Sequence, residues 1–129
     1  MFTDSEMQFL NAHSLCRFAS ISLDGWPHNV PVGYTFDGEF FYISTQYTTK
    51  KLGNVRNNKR VSLVVDEPGT KTTRKAVMIR GEVDVLEAGP EFQSALHVIV
   101  NLRGEKWGFK EGEQAILRVR PMKKMSWNL

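Results

Sequence analysis

Short apolar runs separated by turn signals dominate this chain, and the period of the pattern shifts from two to about 3.6 in only a few places. Thr3, Asp4, Ser5 and Glu6 spell a Thr-x-x-Glu capping box. It predicts a short helix ending near Asn11, with Phe2 and Met7 placed to staple its first turn. Residues 16–23 alternate well enough to predict a strand, and Asp24-Gly25 ends it with a turn signal. Residues 28–36 and 39–44 predict two more strands around Asp37-Gly38, where glycine tolerates the positive φ of a tight turn. These three strands are expected to form an antiparallel meander. Residues 49–57 read as a helix despite Gly53 inside it. Residues 61–66 (VSLVVD) form a continuous β-rich run, expected to be buried on both faces. Pro68-Gly69 breaks that run, and residues 70–74 are expected as a mobile loop. Residues 76–86 resume as a long strand that Gly81 bends or bulges. Phe92, Leu96, Ile99 and Val100 share one face of a helix over 91–102. Residues 115–119 and 122–127 close the pattern as two strands with Pro121 between them.

Six or seven short antiparallel strands with a few helices predict a mainly β protein. A small barrel is the expected form, because closure removes exposed sheet edges. No repeat, low-complexity tract or linker divides the chain, so residues 1–129 are expected to form one domain. A composition 41% hydrophobic and 24% charged is that of a globular protein rather than a disordered one. No apolar run reaches the length of a membrane span, and the acidic start (Asp4, Glu6) does not resemble a signal peptide. The lone Cys16 cannot form an internal disulfide, which points to a reducing compartment and a cytoplasmic location. Between Leu15 and Phe18 it reads as a buried structural thiol rather than a nucleophile.

Charge changes the picture more. The net charge of +3 is mild, yet Lys50, Lys51, Arg56, Lys59 and Arg60 crowd one segment, and Lys71, Arg74 and Lys75 another. Lys50 and Lys51 fall in the first turn of a helix, where the positive end of the macrodipole repels cations. An anion bound between them and the free backbone N–H groups resolves that conflict. Ser44, Thr45, Thr48 and Thr49 add hydroxyls, a mixture suited to a phosphomonoester. A helix capped by threonine with lysines in solvent fits the same spacing equally well. Residues 28–32 pose a second question, because Pro31 interrupts a regular ladder. The unpaired backbone groups suit a planar ring with polar edges, although taken alone the segment reads first as an edge strand. Trp127 is read by itself as packing. His13, His28 and His97 fall in no ligand-spaced motif, so no metal is expected. Nothing matches a phosphate-binding Walker loop or a dinucleotide fingerprint.

RFAS at 17–20, PHNVPV at 27–32, FYIST at 41–45, the pair Lys50 and Lys51, and RVSLVVD at 60–66 occur in a recognisable order. Arg80-Gly81, Arg120-Pro121 and Trp127 continue it. The ordered set resembles the pyridoxamine 5′-phosphate oxidase-like flavoproteins over nearly the whole chain. The resemblance implies an FMN-binding split β-barrel that dimerises, with a flavin in each cleft between subunits. On that likeness His28, Asn29, Val30, Pro31 and Val32 line the isoalloxazine. Ser44 and Thr45 meet the ribityl-phosphate end, Lys50 and Lys51 hold the phosphate, and Trp127 reaches the flavin from the partner chain.

The resemblance also carries departures. Ala76 stands where the oxidase has a flavin-contacting glutamine, and the sequence ends at Leu129, before an Arg- and His-containing segment of the oxidase. Oxidation of pyridoxamine phosphate itself is therefore not expected. The likeness is to short, divergent members, and implies an FMN-dependent oxidoreductase with FMN as cofactor, acting on a small redox substrate. Alternatives are an enzyme using the deazaflavin F420 and a non-catalytic flavin-binding protein. No His-rich tail supports the haem-handling branch. Arg17, Arg74 and Lys75 are candidates to face the site without an assigned role. Nucleic acid is the remaining reading of the basic clusters, and the weakest.

Overall fold

The computed structural model describes all 129 residues. The capping box forms as its spacing predicts. Thr3 accepts from the Glu6 N–H (3.2 Å), Glu6 accepts from the Thr3 N–H (2.8 Å), and α1 runs Asp4–Ala12. Glu6 is also buried and paired with Lys124, so the cap residue plugs one end of the barrel. β1 (Leu15–Ile21) alternates, sending Cys16, Phe18 and Ser20 inward and Arg17 outward. Gly25 turns the chain at φ 87° into β2 (Pro27–Gly33), which pairs antiparallel with β1.

The predicted strand over 28–36 is in fact two. The chain leaves β2 at Gly33, passes through Tyr34, and enters β3 (Thr35–Phe36), which pairs with β4 (Phe41–Thr45). Tyr34 is fully buried and held at three points. Its N–H donates to Ser14 O (2.9 Å), its hydroxyl to Leu10 O (2.7 Å), and its own carbonyl accepts from Arg103 (2.7 Å). Strand order in the seven-stranded antiparallel sheet is β2-β1-β5-β6-β7-β4-β3. Both hairpins of the expected meander form, β1 with β2 and β3 with β4, but the split at Tyr34 sends them to opposite edges of the sheet, where β4 pairs with β7. The two edge strands are consecutive in the chain, so Tyr34 stitches the curled sheet into a split barrel.

α2 (Lys50–Asn57) crosses beside β1, and β5 (Arg60–Asp66) follows. β5 is not buried on both faces. Val61, Leu63 and Val65 enter the core, while Ser62 and Val64 lie half-covered on the outside. Residues 70–74 are tied down by hydrogen bonds. The Arg74 N–H donates to Thr70 O (2.9 Å), Glu67 N–H to Lys75 O (2.9 Å), and the Asn128 amide to Arg74 O (2.5 Å). β6 (Ala76–Leu86) carries the expected irregularity at Arg80 and Gly81. β7 (Ala115–Trp127) is one strand rather than two, because Pro121 lies opposite Gly81 at that bulge. A Cβ on Gly81 would meet Arg120 O at 2.5 Å, so the bulge needs glycine.

α3 (Gly89–Arg103) buries Phe92, Ala95 and Ile99 against Leu86, Ile116 and Tyr42 on the outside of the barrel. Leu96 sits only at the margin of this contact. The helix covers one half of the sheet's outer surface. The other half, on β2, β1, β5, β6 and the end of β7, has no element of this chain over it.

Candidate functional site

Two places gather cations without a matching set of carboxylates, and the first is the corner where α2 begins. Asn54 is buried and donates to Ser20 Oγ (3.1 Å), which fixes α2 against β1. Thr49 occupies the N-cap position, but its side chain makes no capping bond. Its hydroxyl lies instead 2.5 Å from that of Thr45 and 3.2 Å from Gln46 O. No acidic residue stands in the first turn, so the capped-helix reading of this segment fails. Neither Lys50 nor Lys51 has a carboxylate within ion-pair distance. Burial pushes the Lys51 ammonium below its ordinary pKa, a cost that a bound anion would offset. Asp24 is close enough to Lys50 to feel it. The Ser22 hydroxyl, and then the Trp26 N–H, do more to hold that carboxyl below its usual range.

His28 belongs to this corner. It is the cross-strand partner of Ser20, and its Nδ1 is buried without a hydrogen-bond partner. An uncapped helix start and two lysines without carboxylates form a donor set that fits a phosphate, while His28 connects to α2 through Ser20, which accepts from Asn54. Pro31 is not a defect in the ladder. The Ser22 N–H bonds Trp26 O and the Tyr34 N–H bonds Ser14 O, so alternation puts Pro31, opposite Arg17, at a non-bonded position. Pro27 and Pro31 both turn toward the open edge, where a missing N–H removes no ladder bond.

The second place is the bare half of the sheet. Strand register sets Ala19 beside Asn29 and Ser62, Arg17 beside Val64, and Asp66 beside Ala76, which in turn faces Trp127. The result is a groove of about 660 Å³ lined by Arg17, Asn29, Arg74, Ala76 and Trp127 among others. An adjoining hollow of about 460 Å³ shares Ala19 and Ser62 and adds Arg60, Arg80, Met122 and Lys123.

The ten residues singled out in the sequence therefore separate. His28, Thr45, Lys50 and Lys51 belong to the α2 corner, and Asn29 and Trp127 to the outer groove. Val32 packs against the core, and Val30 shares the inward face with Phe18. Pro31 faces outward. Ser44 points away from Thr45, into a cleft with Thr35, Lys106 and Trp107. Arg60 stands in the basic segment noted in the sequence, whereas nothing local sets Arg80, Met122 and Lys123 beside it; strand register alone gathers them around one hollow. No three His, Cys, Asp or Glu side chains gather as a metal site, and no helix is long and apolar enough to cross a membrane.

The sequence matches the family model described as pyridoxamine 5′-phosphate oxidase over residues 2–123. The chain belongs to that family. It is 34% identical over 94 residues to a 5a,11a-dehydrotetracycline/5a,11a-dehydrooxytetracycline reductase of Streptomyces rimosus. That alignment covers 68% of this chain and 66% of the reductase, so it spans just under two thirds of the relative's length. Among solved structures, an FAD-binding protein of Mesorhizobium loti superposes with a TM-score of 0.74 at 23% identity, covering 97% of this chain and 92% of that one. An F420 reductase does so with a TM-score of 0.72 at 20% identity, covering 96% and 98%. Haem-binding proteins share the fold too. At these identities the structures show a common fold. Family membership accounts for the order of motifs along β1, β2, β4, α2 and β5.

Proposed function

We propose that this family member is a flavin-dependent oxidoreductase that binds FMN and works as a homodimer, with the bare sheet half meeting its counterpart. The observation that carries this reading is the start of α2. Its N-cap threonine leaves the helix N–H groups without a side-chain acceptor, beside Lys50 and a half-buried Lys51. A flavin phosphate there would accept from the helix and from both ammonium groups. His28 Nδ1 would find a partner in the same ligand. Bound flavin would supply hydride or electron transfer, while the chain holds, orients and shields it. Kinship with a reductase supports turnover rather than storage. The single buried Cys16, without a disulfide, fits a reducing, cytoplasmic setting.

The test is a pair of equilibrium titrations. Changing Lys50 and Lys51 together to Ala should weaken FMN by about a hundredfold and leave riboflavin nearly unchanged. Equal losses for both ligands refute the phosphate assignment, and failure of the unaltered protein to bind FMN refutes the whole reading.

F420 is the second reading. Arg17, Lys71 and Arg74 provide more cations than one phosphate needs, which suits a cofactor with an acidic tail. Competition between FMN and F420 on the apoprotein separates the two. Much tighter F420 binding reverses the order, and bound flavin that no pyridine nucleotide reduces and no substrate reoxidises faster than free FMN leaves a non-catalytic flavin binder.

A further inference from the structure

Thr35 is only 1% exposed, and its hydroxyl has no hydrogen-bond partner within the chain. A buried hydroxyl left unpaired is costly, so it marks a place for a partner from outside. Thr35 lies opposite Tyr42 in the β3–β4 pair, and Ser44 follows on the same face of β4. That face belongs to the half of the sheet that α3 covers, since Tyr42 packs with Phe92, Ala95 and Ile99. It is not the bare half proposed to meet a second copy. The three side chains open into a cleft of about 400 Å³, which Lys106, Trp107 and Gln114 also line.

Most of this lining both donates and accepts. Thr35 and Ser44 present hydroxyls and Gln114 a carboxamide. The Tyr42 hydroxyl donates to Asp37 (2.9 Å), which leaves its oxygen able to accept. No carboxylate lines the cleft, and its one cation, Lys106, is exposed. Trp107 supplies an aromatic wall and is 37% exposed. The Arg103 guanidinium lies over its ring at 5.5 Å from the centroid, and a Cβ at Gly33 would meet the indole at 3.1 Å. The ring is therefore held in place before any ligand arrives.

We propose that this cleft binds a polyhydroxylated alicyclic ring, such as a sugar in its ring form. Ring hydroxyls meet Thr35, Ser44 and Gln114, and the C–H face of the ring lies on Trp107. Groups that donate and accept in turn match hydroxyls, which do the same. A phosphate or carboxylate only accepts, and is better served by the two lysines at the start of α2. The proposal does not rest on the flavin reading, because Ser44 points away from Thr45 and the α2 corner.

The test is an NMR titration of the full chain with methyl β-D-glucopyranoside, beside ribitol as an open-chain polyol and cyclohexanol as a ring with one hydroxyl. The glucoside should shift the Trp107 indole N–H and bind at least about fivefold more tightly than either control, the worth of one net hydrogen bond. Thr35→Val keeps the shape and removes the hydroxyl. It should weaken the glucoside about fivefold and raise the melting temperature of the free protein, since an unpaired buried group is gone. Thr35→Ser should hold the affinity within about twofold. Ribitol binding as tightly as the glucoside overturns the proposal, and so does displacement of the glucoside by FMN, because the cleft would then suit the ribityl chain of a flavin. An absence of shifts in the cleft overturns it too. So does a melting temperature that Thr35→Val fails to raise, the hydroxyl then being satisfied by water alone. If the glucoside binds selectively and FMN does not bind at all, the cleft assignment stands and the flavin reading alone is lost.

Discussion

Thr49 holds the N-cap position of α2, yet its hydroxyl lies 2.5 Å from that of Thr45 and accepts nothing from the helix it precedes. Two hydroxyls that face each other leave the helix terminus open to an outside acceptor. Thr49→Asp tests this directly. An aspartate there would cap the helix and complement the dipole, adding about 0.5–1 kcal/mol to stability. It would also put a carboxylate where the phosphate is expected. The melting temperature of the free protein should rise while FMN affinity falls. A variant that gains in both would show that the phosphate binds elsewhere.

Glu6 and Lys124 set the acid limit of stability. Glu6 is buried by α1 and pays for desolvation, but the Lys124 and Ser126 side chains and the Thr3 N–H lower its pKa from 4.5 to about 2. A folded value below the unfolded one means the contribution is complete above about pH 4.5 and is lost as pH falls toward about 2. Lys124→Met should destabilise the protein by about 3 kcal/mol at neutral pH, since it strands a buried carboxylate. Glu6→Gln should cost less and flatten the acid limb of the stability curve. Urea denaturation across that pH range reads both effects. An unchanged acid limb in Glu6→Gln would place the titration on another group.

Two glycines should respond in opposite directions to alanine. Gly53 lies inside α2 with open space where a Cβ would stand, so Gly53→Ala should stabilise by about 1 kcal/mol. At Gly81 the Cβ would strike Arg120 O at 2.5 Å and Val119 Cγ1 at 2.8 Å. Gly81→Ala should cost about 2 kcal/mol or more, because the obstruction is backbone. Denaturant midpoints decide, and a neutral Gly81→Ala would mean the bulge relaxes.

Cys16 should be inert in the folded protein. It is 1% exposed, and burial pushes its thiol up to about 12. A chromogenic aromatic disulfide should therefore find no reactive thiol at mildly alkaline pH, and one per chain after denaturation. Prompt reaction in the native state would contradict the packing of β1.

Where a sequence signal was local, it was legible. The Thr3–Glu6 box, the Asp24-Gly25 turn, the helix around Gly53 and the Gly81 irregularity all depend on residues within a few positions of one another. Errors came where a partner strand decided. Pro121 looked like a break because proline has no N–H to donate, but the bulge at Gly81 accommodates it within one continuous strand. Residues 28–36 looked like one strand because nothing local marks Tyr34 as the seam between two edges. The burial of β5 was overread, since its pattern of valines does not say whether a second layer covers the outer face.

The candidate site divides in the same way. Lys50 and Lys51 were visible at once, because a helix dipole acts on residues in its own first turn. That Thr49 turns to Thr45 instead of capping, and that Ser44 faces another cleft, depended on side-chain direction that spacing does not encode. The groove of Arg17, Arg74 and Trp127 joins residues more than a hundred positions apart in the chain. Strand alternation fixes which face each residue takes, whereas only pairing register fixes which residues share a row across the sheet. Register is a long-range choice, made by the barrel core as it packs. The lysine-bearing start of α2 could therefore be read from a short segment, and the groove on the outer sheet only once the sheet had closed.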